Sequence, residues 1–142
     1  MTSDVDICNL ALQRLGTKAI SALNEDSTAG RECNRVYAHA RDSEIRNHPW
    51  SFARARASLA ADAVAPIFGY ALRFQLPAGF IRLLPVRNVA TNSLILGGID
   101  PGIDWQIEGR YILTDDGAPL QIVYLQQITD PNEFDQLFTD LL

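Results

Sequence analysis

The sequence predicts an α+β fold, helical at both ends and β-rich between them, on three observations. Apolar residues recur at helical spacing up to about residue 59, the pattern changes to alternation at Ala71, and a new helix start stands at Asp130-Pro131-Asn132-Glu133. The chain has 142 residues, 47% hydrophobic and 20% charged, enough for one domain or a compact pair of subdomains with a real core.

The first helix spans about 4–15. Ser3 is its N-cap and Asp6 stands at the third helical position, a capping-box arrangement. Cys8, Ala11, Leu12 and Leu15 form one apolar stripe, and Gly16 supplies the stop. A loop over 17–26 is pinned by Ile20 and Leu23. The second helix starts at Ser27 or Thr28 and reaches about Asn47. Ala29, Cys33, Val36, Tyr37 and Ala40 lie on its apolar side, and Arg31, Glu32, Arg35, Arg41, Asp42, Glu44 and Arg46 on its charged side. Pro49 disfavours helical geometry at His48 and ends it. Trp50 and Phe52 follow as large anchors, with Tyr37, beside the bend, and a short third helix is expected to about Leu59.

Residues 60–69 carry Pro66 and Gly69 and mark the change of structure. Strands are expected at 71–76, 80–86, 94–96, 105–108, 110–114 and 120–126, with turns at 77–79, 109 and 115–117. The last helix has Asp130 as N-cap, Pro131 at N1 and Glu133 at N3, followed by the stripe Phe134, Leu137, Phe138, Leu141. The segments are a helical part at 1–66, a β-rich part at 67–128 and a closing helix from 129 to 142. Phe138, Leu141 and Leu142 form a candidate partner-docking end.

The net charge is −5. Residues 1–62 hold 8 basic and 8 acidic side chains, and residues 63–142 hold 4 and 9. This argues against broad nucleic-acid binding, which needs clustered Lys and Arg. No run approaches the roughly 18–20 apolar residues of a membrane span, and the acidic N-terminus lacks a signal peptide's positive region. The expectation is a soluble, non-secreted protein without a membrane partner. Cys8 and Cys33 read as two small buried hydrophobes. Cys8, Cys33, His39 and His48 match no zinc template, so no metal or cofactor is expected. No Ser–His or Cys–His arrangement suggests a nucleophile. The glycine-rich stretch 97–102 lacks the Lys-Ser/Thr of a phosphate-binding loop. Asp115-Asp116-Gly117 reads as a turn, and Glu25-Asp26 as residues leading into a helix. No catalytic residue is therefore assigned, and the chain reads as a non-enzyme. Arg31, Arg35, Arg41, Asp42 and Arg46 are the candidate subunit interface, since arginine suits bidentate pairing with a neighbour's carboxylates.

Asp6-Ile7-Cys8-Asn9-Leu10-Ala11-Leu12, Leu15-Gly16, Arg31-Glu32-Cys33-Asn34, Tyr37, Arg41-Asp42 and His48-Pro49-Trp50-Ser51-Phe52-Ala53 follow one another in order. Phe68-Gly69-Tyr70, Gln75-Leu76-Pro77, Ile107-Glu108-Gly109-Arg110, Ile112-Leu113-Thr114 and Ile128-Thr129-Asp130-Pro131 with Phe134 come after them. This set, covering nearly the whole chain, resembles the head–tail connector proteins of tailed phages, nearest the tail tubular protein A type adaptors of short-tailed phages and prophages. Each motif is weakly specific alone; the order is more so.

The resemblance implies a helical bundle of three to four helices with an inserted antiparallel β subdomain. It implies a homo-oligomeric ring, typically of twelve subunits, seated under the portal protein. Such a ring extends the DNA channel to a downstream tail or nozzle protein. It also implies a place in the virion neck or tail after assembly in the bacterial cytoplasm. In that family the last helix continues well beyond the position of Leu142. Two alternatives remain: a phage tail-associated peptidoglycan hydrolase, an activity the resemblance allows because some phage neck and tail proteins carry it, using acids among Glu25, Asp26, Glu44 and Glu108, or a DNA-binding module using Arg41, Arg46, Arg54 and Arg56.

Overall fold

Ser3 sits in extended backbone, and its Oγ accepts the Asp6 N–H at 3.1 Å while Asp6 Oδ2 accepts the Ser3 N–H at 2.9 Å. This reciprocal pair satisfies amides that a helix start leaves open, and helix α1 runs Asp4–Arg14. Its end is closed at Gly16, whose φ of +69° is a left-handed conformation that glycine adopts without penalty. There the Thr17 N–H donates to Leu12 O at 2.9 Å and the Gly16 N–H to Gln13 O at 3.0 Å. Helix α2, Thr28–Asn47, is capped by Ser27, whose Oγ accepts the Gly30 N–H at 3.1 Å. It ends at His48, which turns to φ −138° and ψ 143° ahead of Pro49.

The computed structural model describes residues 2–88, 93–96, 105–115 and 117–142. The glycine-rich stretch 97–102 and Asp116 of the expected 115–117 turn lie outside the described residues. The chain divides into two compact units: residues 1–53 with 127–142, and residues 54–126. The β unit thus begins at Arg54 rather than at 67.

In the β unit the strands are β1 Arg54–Leu59, β2 Leu72–Gln75, β3 Phe80–Leu83, β4 Pro85–Asn88, β5 Ser93–Leu96, β6 Trp105–Glu108, β7 Tyr111–Thr114 and β8 Leu120–Gln126. Among the described residues all pairings are antiparallel: β1-β8-β3 and β2-β7-β6 form three-stranded sheets, and β4 pairs with β5. Gly109, at φ +57°, turns β6 into β7. Phe74, Leu76, Leu83, Ile112, Leu120, Ile122 and Tyr124 make the core of this unit.

The helical unit is not the bundle that was expected. Among the described residues it contains two substantial helices, a six-residue helix α3 (Gln136–Leu141) and 3-10 turns at Ser51–Ala53 and Pro131–Glu133. Two departures explain this. The third predicted helix, to about Leu59, is replaced by strand β1. Its sequence Arg-Ala-Arg-Ala-Ser-Leu has period two, so Arg54, Arg56 and Ser58 are exposed while Ala55, Ala57 and Leu59 turn inward. Small alanines suit that inward row because Ala55 and Ala57 stand opposite Tyr124 and Ile122 of β8.

The second departure is at the C-terminal end. Asp130 does cap, accepting the Asn132 N–H at 2.9 Å, but it opens only a 3-10 turn. Phe134 then returns to extended backbone (ψ 140°), and Asp135 recaps by accepting the Leu137 N–H at 2.9 Å. At about 1.5 Å per residue, α3 is roughly 9 Å long, too short to flank α2 as a bundle helix.

Candidate functional site

The segment that leaves α2 folds back on it. The Trp50 indole N–H donates to Glu44 O at 2.9 Å, and the Trp50 N–H donates to His48 O at 2.8 Å. The Trp50 ring meets His48 at 4.7 Å and Phe138 at 5.3 Å between centroids, both edge-on. Phe52 lies 5.0 Å from Phe138 and 5.7 Å from Phe134, and those two phenylalanines are 4.8 Å apart. Edge-to-face pairs at these separations add to the stabilisation from burial alone. Phe138 is completely buried at the centre. The anchors Trp50 and Phe52 therefore tie the end of α2 to the C-terminal segment, across more than eighty residues of chain, while Pro49 is exposed. Arg14 of α1 adds a bond from its guanidinium to Asp140 O at 2.9 Å.

Beside this corner lies an open cleft of about 370 Å³, lined by Glu44, His48, Trp50, Leu137, Asp140 and Leu141. Leu137 and Leu141 remain 67% and 60% exposed. Of the predicted docking end, Phe138 is thus core, Leu142 is half-buried and Leu141 is surface. Leu137 was not singled out from sequence as a docking residue, although its place in the 134–141 stripe was visible. A second, larger and more polar groove of about 770 Å³ runs along α1, with Asp6, Asn9, Leu10, Gln13 and Thr139 among its walls.

The charged side of α2 is mostly paired within itself. Arg31 bridges Asp26 at 2.6 Å and Arg35 bridges Glu32 at 2.6 Å, both exposed. Exposed pairs of this kind contribute little to stability. Arg46 is exposed as well. Arg41 is different, being only 8% exposed. Its Nε meets Asp42 at 2.9 Å, and its guanidinium stands 5.9 Å from the Tyr37 ring. Asp42 also accepts a hydrogen bond from the Gln127 side-chain amide, Nε2, at 2.8 Å. Asp42, itself paired with Arg41, thus holds α2 to the returning chain. Of the four arginines of the DNA-binding alternative, Arg41 is buried in the helical unit, and Arg54 and Arg56 belong to the β unit.

Cys8 and Cys33 are both free thiols, packed in the small core that includes Leu12, Ile20 and Tyr37. Burial, then the neighbouring Cys33, pushes the Cys8 thiol up to about 12, so it is not a nucleophile at neutral pH. Burial and the Asp4 carboxylate push Tyr37 up to about 12. Asn9, not singled out from sequence, clamps the 17–26 loop: its side chain donates to Ile20 O at 3.0 Å and accepts the Ile20 N–H at 2.8 Å. Glu25, an acid of the hydrolase alternative, is held below the usual carboxylate range by accepting the Ser21 N–H and hydroxyl. Among the described residues no three His, Cys, Asp or Glu side chains gather as a metal site, and no helix is long and apolar enough to cross a membrane.

Charge follows the units rather than the two ends of the sequence. The β unit has six basic and six acidic side chains, and the helical unit six and eleven, so the whole excess of −5 belongs to the helical unit. Of the nine acidic side chains in residues 63–142, Asp130, Glu133, Asp135 and Asp140 belong with the helices, and the β unit itself is neutral.

No protein-family model matches the chain, and none of the curated proteins matches it.

Proposed function

We propose that this chain is a structural subunit of a phage head–tail connector, an adaptor that assembles as a ring below the portal and joins it to the tail. The observation that carries this reading is the ordered set of motifs from Asp6 to Phe134, which resembles that family across both units. Several residues of the set do structural work. Asp6 completes a cap, Gly16 closes α1, and Trp50 and Phe52 bind the C-terminal segment. Two further features support a role in assembly. Large apolar side chains stand exposed on each unit, as interaction surfaces require. The net charge of −5 suits a conduit that lets DNA pass without gripping it.

The test is to mix the purified full-length protein with its cognate portal and image the product by electron microscopy. Rings seated on the portal are expected. A full-length chain that never joins the portal overturns the proposal.

A further inference from the structure

Two apolar surfaces on different units are open. The connection from β1 to β2 carries Val64, Ile67 and Phe68, which are 60%, 98% and 87% exposed. From Ala63 to Ala71 it has no charged residue. Its base is tied down. The Asp62 N–H donates to Arg73 O at 2.8 Å, Arg73 Nε meets the Asp62 carboxylate at 2.6 Å, and the Ala71 N–H donates to Asp115 at 2.7 Å. This is an apolar tip on an anchored base. The other surface is the cleft of about 370 Å³ walled by Trp50, Leu137 and Leu141, with Glu44 and Asp140 also lining it.

We infer that the Ile67–Phe68 tip of one copy seats in the Trp50–Leu137–Leu141 cleft of a second copy. This deepens the connector reading by naming the surfaces through which copies meet, and it rests on that reading only for its setting. Three arguments select a second copy as the occupant. A cleft of this size is in the range that takes a compact apolar group, and every chain carries such a group outside its own core. The charges do not oppose it: Glu44 and Asp140 line the cleft, and the tip brings no carboxylate against them, its flanking Asp62 being paired with Arg73. Pairing cleft against cleft would instead bring two copies of Glu44 and Asp140 together, four carboxylates in one contact. Finally, a tip and a cleft on one chain give a head-to-tail contact that repeats, closing into a ring where the rotation allows.

The experiment uses two full-length variants, Phe68→Asp in the tip and Leu141→Asp in the cleft, followed by sedimentation velocity from micromolar to millimolar protein. The wild type should associate with rising concentration. Each variant alone should associate about tenfold to a hundredfold more weakly, as expected for losing one buried large apolar side chain. An equimolar mixture should recover a dimer and nothing larger, because one intact tip and one intact cleft remain. Both positions are exposed, and Ile67→Ser with Leu137→Ser repeats the test should either aspartate variant misfold. A wild type that stays monomeric throughout overturns the inference, as does a variant that associates like the wild type or a mixture that does not dimerise. The portal assay separates the two readings. Normal portal-seated rings from Phe68→Asp would sink this contact and leave the connector proposal standing. A wild type that self-associates but ignores the portal would do the reverse.

Discussion

The β unit and the helical unit are held together by different means. The β unit closes on a core of alternating residues. Along β8, Leu120, Ile122 and Tyr124 face inward opposite Leu59, Ala57 and Ala55 of β1, Tyr124 also stands opposite Leu83 of β3, and Phe74 and Ile112 complete the core without exposure. The helical unit has a smaller core around Cys8, Leu12 and Ile20, and it relies on end caps and on one aromatic cluster. That cluster joins residues near 50 to residues near 138, on either side of the inserted β unit. A sheet core made of many equivalent rows spreads its stabilisation. A corner built on Phe138 concentrates it.

Truncating one central aromatic in each unit tests this contrast most severely. Phe138→Ala and Phe74→Ala each remove a fully buried ring and should each cost about 3–5 kcal/mol in urea unfolding. Hydrogen exchange should separate them. Phe138→Ala should release the amides of α3 and the end of α2 while β8 stays protected, and Phe74→Ala should do the opposite. Equal loss of protection in both units from either variant would show that they unfold as one, and the contrast would fail.

The parts legible in the sequence are those where a local rule agrees with the final packing. Ser3 with Asp6, Gly16, Ser27 and Pro49 set the bounds of α1 and α2 within a residue, because each acts on its own neighbours. The β6–β7 hairpin and β8 were legible for the same reason, through Gly109 and period two. The misreadings all involve distant partners. The alternation in Arg54–Leu59 is short and alanine-rich, and only pairing with β8, more than sixty residues away, makes it a strand. Asp130-Pro131-Asn132-Glu133 has a strong helix-start pattern, yet the ring contacts of Phe134 with Phe52 and Phe138 accompany a return to extended backbone there. Arg41 looked like surface because its neighbours are charged. Its burial beside Tyr37 and Asp42 shows only when Gln127 returns to that face. The cleft at Trp50 was likewise illegible, since its walls come from residues 44–50 and 137–141, far apart in the chain.

Gly30 sharpens the contrast at the next level of effect, within the helical unit. Helix propensity alone favours Gly30→Ala by about 1 kcal/mol. However, a Cβ there would stand 2.8 Å from the backbone oxygen of Glu25 and 3.2 Å from Ser27 Oγ. The first is backbone and cannot swing aside, so the variant should be destabilised by about 1–3 kcal/mol. A higher urea midpoint for Gly30→Ala would show that the 17–26 loop yields easily, and that the caps constrain this unit less than the structure indicates.

Alkaline pH should weaken the helical unit through Cys8 and Tyr37. Both are neutral when protonated, and burial is the main cause of each raised pKa. An unfolded chain releases these protons near 9.0 and 10.0, whereas the folded chain holds them to about 12. Between those limits the unfolded state binds fewer protons, so stability is fully present below pH 9 and falls as pH rises towards 12. Urea midpoints followed by exchange at α1 and α2 should decline over this range, and Cys8→Ala should flatten the decline. A midpoint that does not change between pH 8 and 11 would count against both shifts.

Tyr37→Phe should have the smallest effect, and its sign is the informative part. The Tyr37 hydroxyl oxygen is buried without a hydrogen-bond partner, while its ring packs on the Cys8–Leu12–Ile20 core and lies 5.9 Å from the Arg41 guanidinium. Phenylalanine keeps the ring and its contact with the cation. It removes only an oxygen whose desolvation nothing offsets, so stability should be unchanged or higher by up to about 1 kcal/mol. The same variant should lose the phenol's share of the alkaline decline, which ties the two measurements to one atom. A loss of more than about 1 kcal/mol on removing this hydroxyl would mean that it does hold a partner. The small helical core would then depend on a polar contact at Tyr37.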